Sequence, residues 1–179
     1  MAKTDRHGQA EIWTEDQFEQ VSRELSLTMR ALLSICYYTL CRVSEARQLK
    51  AEDLVSRSIV FRRATTKTKR TRTVPIHPKL QAILNEANLP STGYLFPGRN
   101  GQQPITRQAV DAALRKACDR CGWQGFSTHS CRRTGATRLS SAGVPLRVIQ
   151  EVGGWSQLSA LQRYLEVSRE QVEAAITQL

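Results

Sequence analysis

Ser58-Ile59-Val60-Phe61, the basic run Thr65-Thr66-Lys67-Thr68-Lys69-Arg70, and Thr71-Arg72-Thr73-Val74-Pro75-Ile76 form the stretch where the apolar period changes, and that change decides the fold. The outer pieces are short and β-branched, which favours strands, while the run between them has nothing apolar to bury. A small antiparallel hairpin with a basic tip is expected, with room for a third strand.

On both sides of this stretch the period is helical. Upstream, Thr14 and Gln17 have the spacing of a capping box, in which each side chain satisfies the other's backbone amide. Phe18, Val21 and Leu25 follow on one face. Ser26 can cap a second helix carrying Met29, Leu32, Leu33, Cys36 and Leu40, and a short helix over 44–49 follows the turn at Arg42. Downstream, helices are expected over 78–87, after Thr106, and over 130–142, 145–152, 158–164 and 169–178, with loops at 89–93 and 96–101. The fold class is mainly α (α+β) with one small antiparallel sheet. Residues 1–13 are polar for the most part and are expected to be a flexible segment, leaving 14–179 as one domain.

The 179 residues suffice for a single core, and the 40% hydrophobic content is that of a globular protein. Lys and Arg outnumber Asp and Glu by 26 to 16, a net charge of +10. Such a surplus suits a polyanion, because each neutralised phosphate releases counterions; a plain basic surface or an anionic membrane remain the alternatives. The most apolar stretch, residues 31–40, lies between Arg30 and Arg42 and is too short to span a bilayer. The polar start has no signal-peptide core, so a cytoplasmic protein without membrane association is expected. Five cysteines without framework spacing fit free thiols in a reducing compartment. Cys118, Cys121, His129 and Cys131 could be read as a zinc site, but the periodicity of 109–117 makes the cysteine pair the end of a helix.

Several polar residues stand where a plain core has no need of them. Arg42 directly follows an apolar helix, and is either a snorkelling surface residue or a phosphate ligand. His129 and Arg132 are three apart, so on a helix both can reach one anion. Gly153-Gly154-Trp155 makes a tight turn, and Tyr164 stands nine positions after Trp155; by itself such a tyrosine is more often packing than nucleophile.

Taken in order, these residues resemble the phage-integrase or tyrosine-recombinase family. Its first arginine motif is similar to Thr39-Leu40-Cys41-Arg42-Val43-Ser44-Glu45, its hairpin lysine to Lys67 before Pro75, and its His-x-x-Arg motif to His129 and Arg132. Its Leu-Gly-His/Trp segment is similar to Val152-Gly153-Gly154-Trp155, and its Arg-Tyr nucleophile to Arg163-Tyr164. Leu40 stands where a glycine is usual, and Cys131 where a leucine is common.

The resemblance implies site-specific DNA recombination through a 3′-phosphotyrosine, with no metal, cofactor or ATP. Tyr164 would be the nucleophile, and Arg42 and Arg132 would hold the non-bridging phosphate oxygens. His129 would assist as acid or base, Trp155 would donate its indole N–H to phosphate, and Lys67 would protonate the departing 5′ oxygen. Glu45 would orient a neighbouring cation, its bland alternative being a charge at a helix N-terminus. Lys69, Arg70, Arg72 and Arg133 are taken as further contacts to double-stranded DNA.

The stripe Val172, Ala175, Ile176 and Leu179 either packs on its own domain or, as in the family, docks into a neighbouring protomer of a tetramer on DNA. Most members carry an N-terminal core-binding domain for which this chain has no room. The short fimbrial invertases, or a fragment of a longer protein, are equally compatible with that. A DNA-binding accessory protein and a type IB topoisomerase are the competing functions.

Overall fold

The computed structural model describes residues 10–165, 167 and 169–177. Thr14 opens α1 (Glu15–Arg23) with the expected capping box, and the Ser26 side chain caps α2 (Leu27–Thr39). A single turn, α3 (Val43–Ala46), follows. After a 3-10 turn at Ala51–Asp53 come β1 (Leu54–Val55), β2 (Ser58–Phe61) and β3 (Arg72–Pro75), an antiparallel sheet in the order β1-β2-β3. Ile59 pairs with Val74 and Phe61 with Arg72. Helices α4 (Pro78–Glu86), α5 (Arg107–Arg120), α6 (Thr128–Ser141), α7 (Leu146–Gly153), α8 (Leu158–Gln162) and α9 (Arg169–Ile176) complete the chain.

The core forms around α2, whose residues 31–37 are all buried; an all-round apolar helix is stable only when covered on every side. Helices α3, α4 and α6 pack against it, and Ile59, Phe61 and Val74 turn the inner face of the sheet towards it. A second cluster, formed by Leu40, Ala136, Ile149, Trp155 and Leu161, fixes α7 and α8 to the far side of α6.

Gly135 is where α6 approaches α2 most tightly: a Cβ there would collide with the Leu40 side chain and lie 2.7 Å from the Tyr37 carbonyl oxygen. Backbone cannot step aside as a side-chain tip can. Gly135→Ala is therefore expected to cost about 1–3 kcal/mol, as overpacking does, read as a lowered midpoint in urea. An unchanged midpoint would show that the two helices can part without penalty.

The N-terminal segment differs from expectation. Residues 1–9 lie outside the described residues, but Ala10 and Trp13 are buried. Trp13 stacks on Phe126 at 3.6 Å, its backbone N–H donates to Thr134 Oγ1 at 2.8 Å, and Glu11 N–H donates to the Gly125 carbonyl. Residues 10–13, expected to be flexible, are therefore held against the domain, because an indole and its stacking partner outweigh the polar neighbours.

The expected C-terminal stripe is exposed at Val172, Ala175 and Ile176 and does not pack on its own domain; Leu179 lies outside the described residues. Cys118 and Cys131 belong to the main core, where burial pushes both thiols up to about 12. Among the described residues no group of three metal-ligating side chains comes together. The zinc reading fails because Cys118 and Cys131 face inward while His129 faces outward. No helix among the described residues is long and apolar enough to cross a membrane.

Candidate active site

The end of α2 sets the first arginine. Leu40 adopts the left-handed conformation (φ 53°, ψ 24°), where a glycine is the comfortable residue. Its side chain, 1% exposed within the second cluster, offsets that strain by burial. The reversal brings Arg42 to the N-cap of α3, and Glu45 folds back beneath it. Glu45 accepts from the Arg42 backbone N–H at 3.3 Å, from Arg42 Nη1 at 3.2 Å and from Arg72 Nη2 at 2.8 Å. Burial alone raises the Glu45 pKa. The charge and hydrogen bond of Arg72, and then those of Arg42, overcome it and hold the carboxyl below its usual value.

The second arginine comes from α6. Ser127 caps this helix, with Ser130 reciprocating, so it begins two residues earlier than the periodicity suggests. That start puts His129 in the first turn, exposed, and Arg132 on the buried face with 1% of its surface accessible. Arg132 Nη1 donates to the carbonyls of Leu40 and Gly153, the latter at 2.9 Å. Its guanidinium lies over the Trp155 ring, 3.6 Å from the centroid. Its Nε and Nη2 are buried without a hydrogen-bond partner. Burial first, and the Arg42 charge second, push its pKa down to about 9, so it remains a cation at neutral pH.

Tyr164 stands on the same shelf. Its half-buried ring meets Trp155 edge-on at 5.4 Å, and the Arg132 Cζ lies 5.5 Å from its centroid. Thr137 Oγ1 donates to the Tyr164 carbonyl at 3.1 Å and fixes the backbone there. The shelf itself depends on Gly153, since a Cβ at that position would collide with the Trp155 ring.

A cavity of about 70 Å³ opens between the α2–α3 junction and the first turns of α5 and α6, with Tyr164 outside its wall. Arg42, Val43 and Ser44 line one side, and Thr128, His129 and Arg132 the other, with Cys41 and Arg107 completing it. A pocket with three guanidinium groups, an imidazole and the first turn of α6 around it is built for an anion. Arg107 escaped the sequence reading. It is the first residue of α5, where a cation opposes the helix dipole, and that mismatch was the available signal. Its Nε lies 3.4 Å from Asp111, which in turn accepts from Thr128 Oγ1 at 3.1 Å.

The remaining expected residues divide. Lys67, Lys69 and Arg70 are exposed on the loop between β2 and β3, which the buried Thr66 pins through its hydroxyl to the backbone of Arg70. Lys67 is not part of the cavity wall.

Arg72 and Arg133, expected to face DNA, do not lie on the surface. Arg72 is the cross-strand partner of the buried Phe61 and therefore points inward; it is 11% exposed, with its Nε donating to the Val152 carbonyl at 3.2 Å. Arg133 is 8% exposed and donates from Nη1 to the Ala10 carbonyl at 2.5 Å, because one step along α6 from Arg132 turns it under the N-terminal segment. Trp155, expected at the phosphate, is 5% exposed and absent from the cavity wall; its indole N–H is buried without a partner and its face supports Arg132.

Comparison with known proteins places this geometry. The pattern of the phage integrase family matches residues 13–171. A protein of Sinorhizobium fredii named as an integrase/recombinase is 36% identical over 151 residues, covering 83% of this chain and 49% of its own length. Tyrosine recombinase XerD of Corynebacterium glutamicum is 30% identical over 156 residues, covering 83% and 51%. Among solved structures, the Tn1549 transposon integrase in complex with transposon right end DNA superposes with a TM-score of 0.80 at 18% identity, over 97% of this chain and 67% of that one. The chain spans about half the length of the curated relatives it matches.

Proposed function

The chain belongs to the phage integrase family, and from that premise we propose that it is a tyrosine site-specific recombinase, cutting and rejoining double-stranded DNA through Tyr164. The observation that carries the reading is Arg132: a fully buried guanidinium with two unpartnered nitrogens, at one cavity with Arg42 and His129 and alongside the Tyr164 ring. Burying an unneutralised cation is costly. A phosphate seated in the cavity supplies the missing acceptors.

The Tyr164 oxygen attacks phosphorus and forms a 3′-phosphotyrosine ester, while the bond to the 5′ oxygen breaks. Charge that grows on the non-bridging oxygens meets Arg42 and Arg132, donors fixed before the reaction begins. His129 takes up the phenolic proton, and Lys67, carried in by the hairpin loop, gives one to the departing 5′ oxygen. Ester replaces ester, so attack by another strand's 5′-hydroxyl reverses the step without an external energy source.

The Tn1549 integrase was solved on DNA, and this chain's +10 charge suits the same partner. Lys69 and Arg70 extend the contact along the backbone. The exposed Val172 and Ile176 face of α9 serves assembly of a tetramer on DNA, and the cytoplasm is the compartment proposed.

Incubation with a random-sequence duplex library, followed by SDS denaturation, tests the reading. Protein-linked DNA with a free 5′-hydroxyl at the break is expected, and sequencing its flanks gives the site. Binding without any adduct would leave an accessory DNA-binding protein, and relaxation of supercoils without exchange a topoisomerase. Arg107→Ala is expected to slow adduct formation about 10- to 100-fold, with a smaller loss of DNA affinity, because it lines the cavity from a more exposed position than Arg132. Equal losses of binding and rate would make Arg107 a plain backbone contact.

A further inference from the structure

We propose that Arg72 is a positioning residue that locks the frameworks of Arg42 and Arg132 to each other; this rests on the reading that those two arginines hold the phosphate. Arg72 rises from β3 with its guanidinium 4.1 Å from the centre of the Phe61 ring. Nη2 is bonded to Glu45, whose other oxygen holds Arg42. Nε is bonded to the carbonyl of Val152 at the end of α7. The next carbonyl, that of Gly153, accepts from Arg132. Arg132 also reaches the carbonyl of Leu40, two residues before Arg42.

The hydrogen bonds therefore close a ring: Arg42, Glu45, Arg72, the Val152–Gly153 backbone, Arg132, Leu40 and back to Arg42. The α2–α3 junction, β3, α6 and α7 each contribute to it, so sliding any one of these elements breaks a charge-assisted bond. Arg72 itself does not line the cavity; it acts through the two residues that do.

Geometry explains why arginine is needed. A planar guanidinium can bond a carboxylate with one edge and a carbonyl with another while its face rests on an aromatic ring. A lysine ammonium is a point charge that can neutralise Glu45 but cannot also hold α7 at a fixed angle. Without Arg72, buried Glu45 is left with Arg42 as its charged partner and draws that guanidinium away from the cavity. The same strand carries the Lys67 loop, so Arg72 also ties the hairpin to the site.

Arginine side-chain NMR, following the Nε–H signals of Arg42 and Arg132 as inorganic phosphate is added, tests this without a known DNA site. Arg72→Lys is expected to fold and yet to bind phosphate about tenfold more weakly, with the Arg132 signal broadened before any phosphate is added. Arg57→Lys, in the exposed turn between β1 and β2, is expected to behave as the parent. A purely structural Arg72 would lower the melting temperature and leave both signals alone. An Arg72→Lys protein with the parent's phosphate affinity and an unaltered Arg132 signal overturns the proposal.

Should Arg72→Lys not fold, Phe61→Leu replaces it. That change removes the aromatic face beneath the guanidinium while keeping an apolar side chain in the core, and must weaken phosphate binding in the same sense. Phosphate that leaves both arginine signals unmoved in the parent would sink the anion site instead, and the phosphate-free spectra then decide on Arg72 by themselves.

Discussion

Tyr164→Phe is expected to form no covalent complex with DNA at any site the parent chain cleaves, while its DNA affinity and melting temperature stay close to the parent's. The substitution removes one oxygen and leaves the ring. The contacts that fix this residue do not need the hydroxyl: the ring lies edge-on against Trp155, the backbone N–H donates to the Leu161 carbonyl at 2.8 Å, and the carbonyl accepts from Thr137. Loss of chemistry and loss of structure are thereby separated.

The other tyrosines are poor substitutes. Burial raises the pKa of Tyr37 and of Tyr38, so each yields its proton less readily than an exposed phenol. Tyr94 stands at the isolated bridge to Lys50, whose ammonium lies 5.5 Å from its ring, whereas Tyr164 is the tyrosine beside Arg132 and Trp155. Denaturing gels of labelled duplex give the measurement. An adduct that persists in Tyr164→Phe would move the nucleophile to another residue and overturn the chemistry proposed here, though not the family.

Much of the fold was legible because helix starts are local. Thr14, Ser26 and Thr106 announce their helices through a hydroxyl that satisfies a free amide a few residues on, and the structure has all three caps. The strands were legible from β-branching, but their register was not. Residues 62–71 form a loop too long to dictate which residue of β2 faces which of β3. Without the pairing of Phe61 with Arg72, a basic run looks uniformly solvent-facing, and Arg72 passes for a surface cation.

Arg133 was misjudged for a related reason. One of its partners is the carbonyl of Ala10, 123 positions away, which no local pattern reveals. Trp155 was assigned by its polar atom, whereas its large ring face, the part that packs, governs where it sits. Arg42, His129 and Arg132 were found because they stand in ordered motifs that resemble the family's, whereas Arg107, although it opens a helix, belongs to none of those motifs and was missed.

Arg132→Met is expected to slow adduct formation by at least the 10²–10³-fold typical of one lost oxyanion donor, and to do so at little cost in stability. The two effects have one origin. Arg132 is 1% exposed, has no carboxylate on it, and keeps Nε and Nη2 unpartnered. A buried cation in that state carries an effective desolvation penalty of several kcal/mol. Removing it strands the carbonyls of Leu40 and Gly153, at about 1–3 kcal/mol for a buried unsatisfied group. Methionine keeps most of the volume over the Trp155 ring and adds no charge. Two such carbonyls, together with the lost cation–π contact to Trp155, offset that penalty, so the variant's melting temperature should stay close to the parent's at neutral pH.

The pH dependence has a definite sign. The folded-state pKa, about 9, lies below the arginine's ordinary value, so between those two values the unfolded chain binds more protons. The parent's penalty is whole below about 9 and lifts as pH rises through it. The parent's stability relative to the variant's should therefore rise in alkali. A variant that melts well below the parent at pH 7 would mean that Arg132 is a strut of the fold. Its unpartnered Nε and Nη2 would then no longer be a reason to place a phosphate in the cavity.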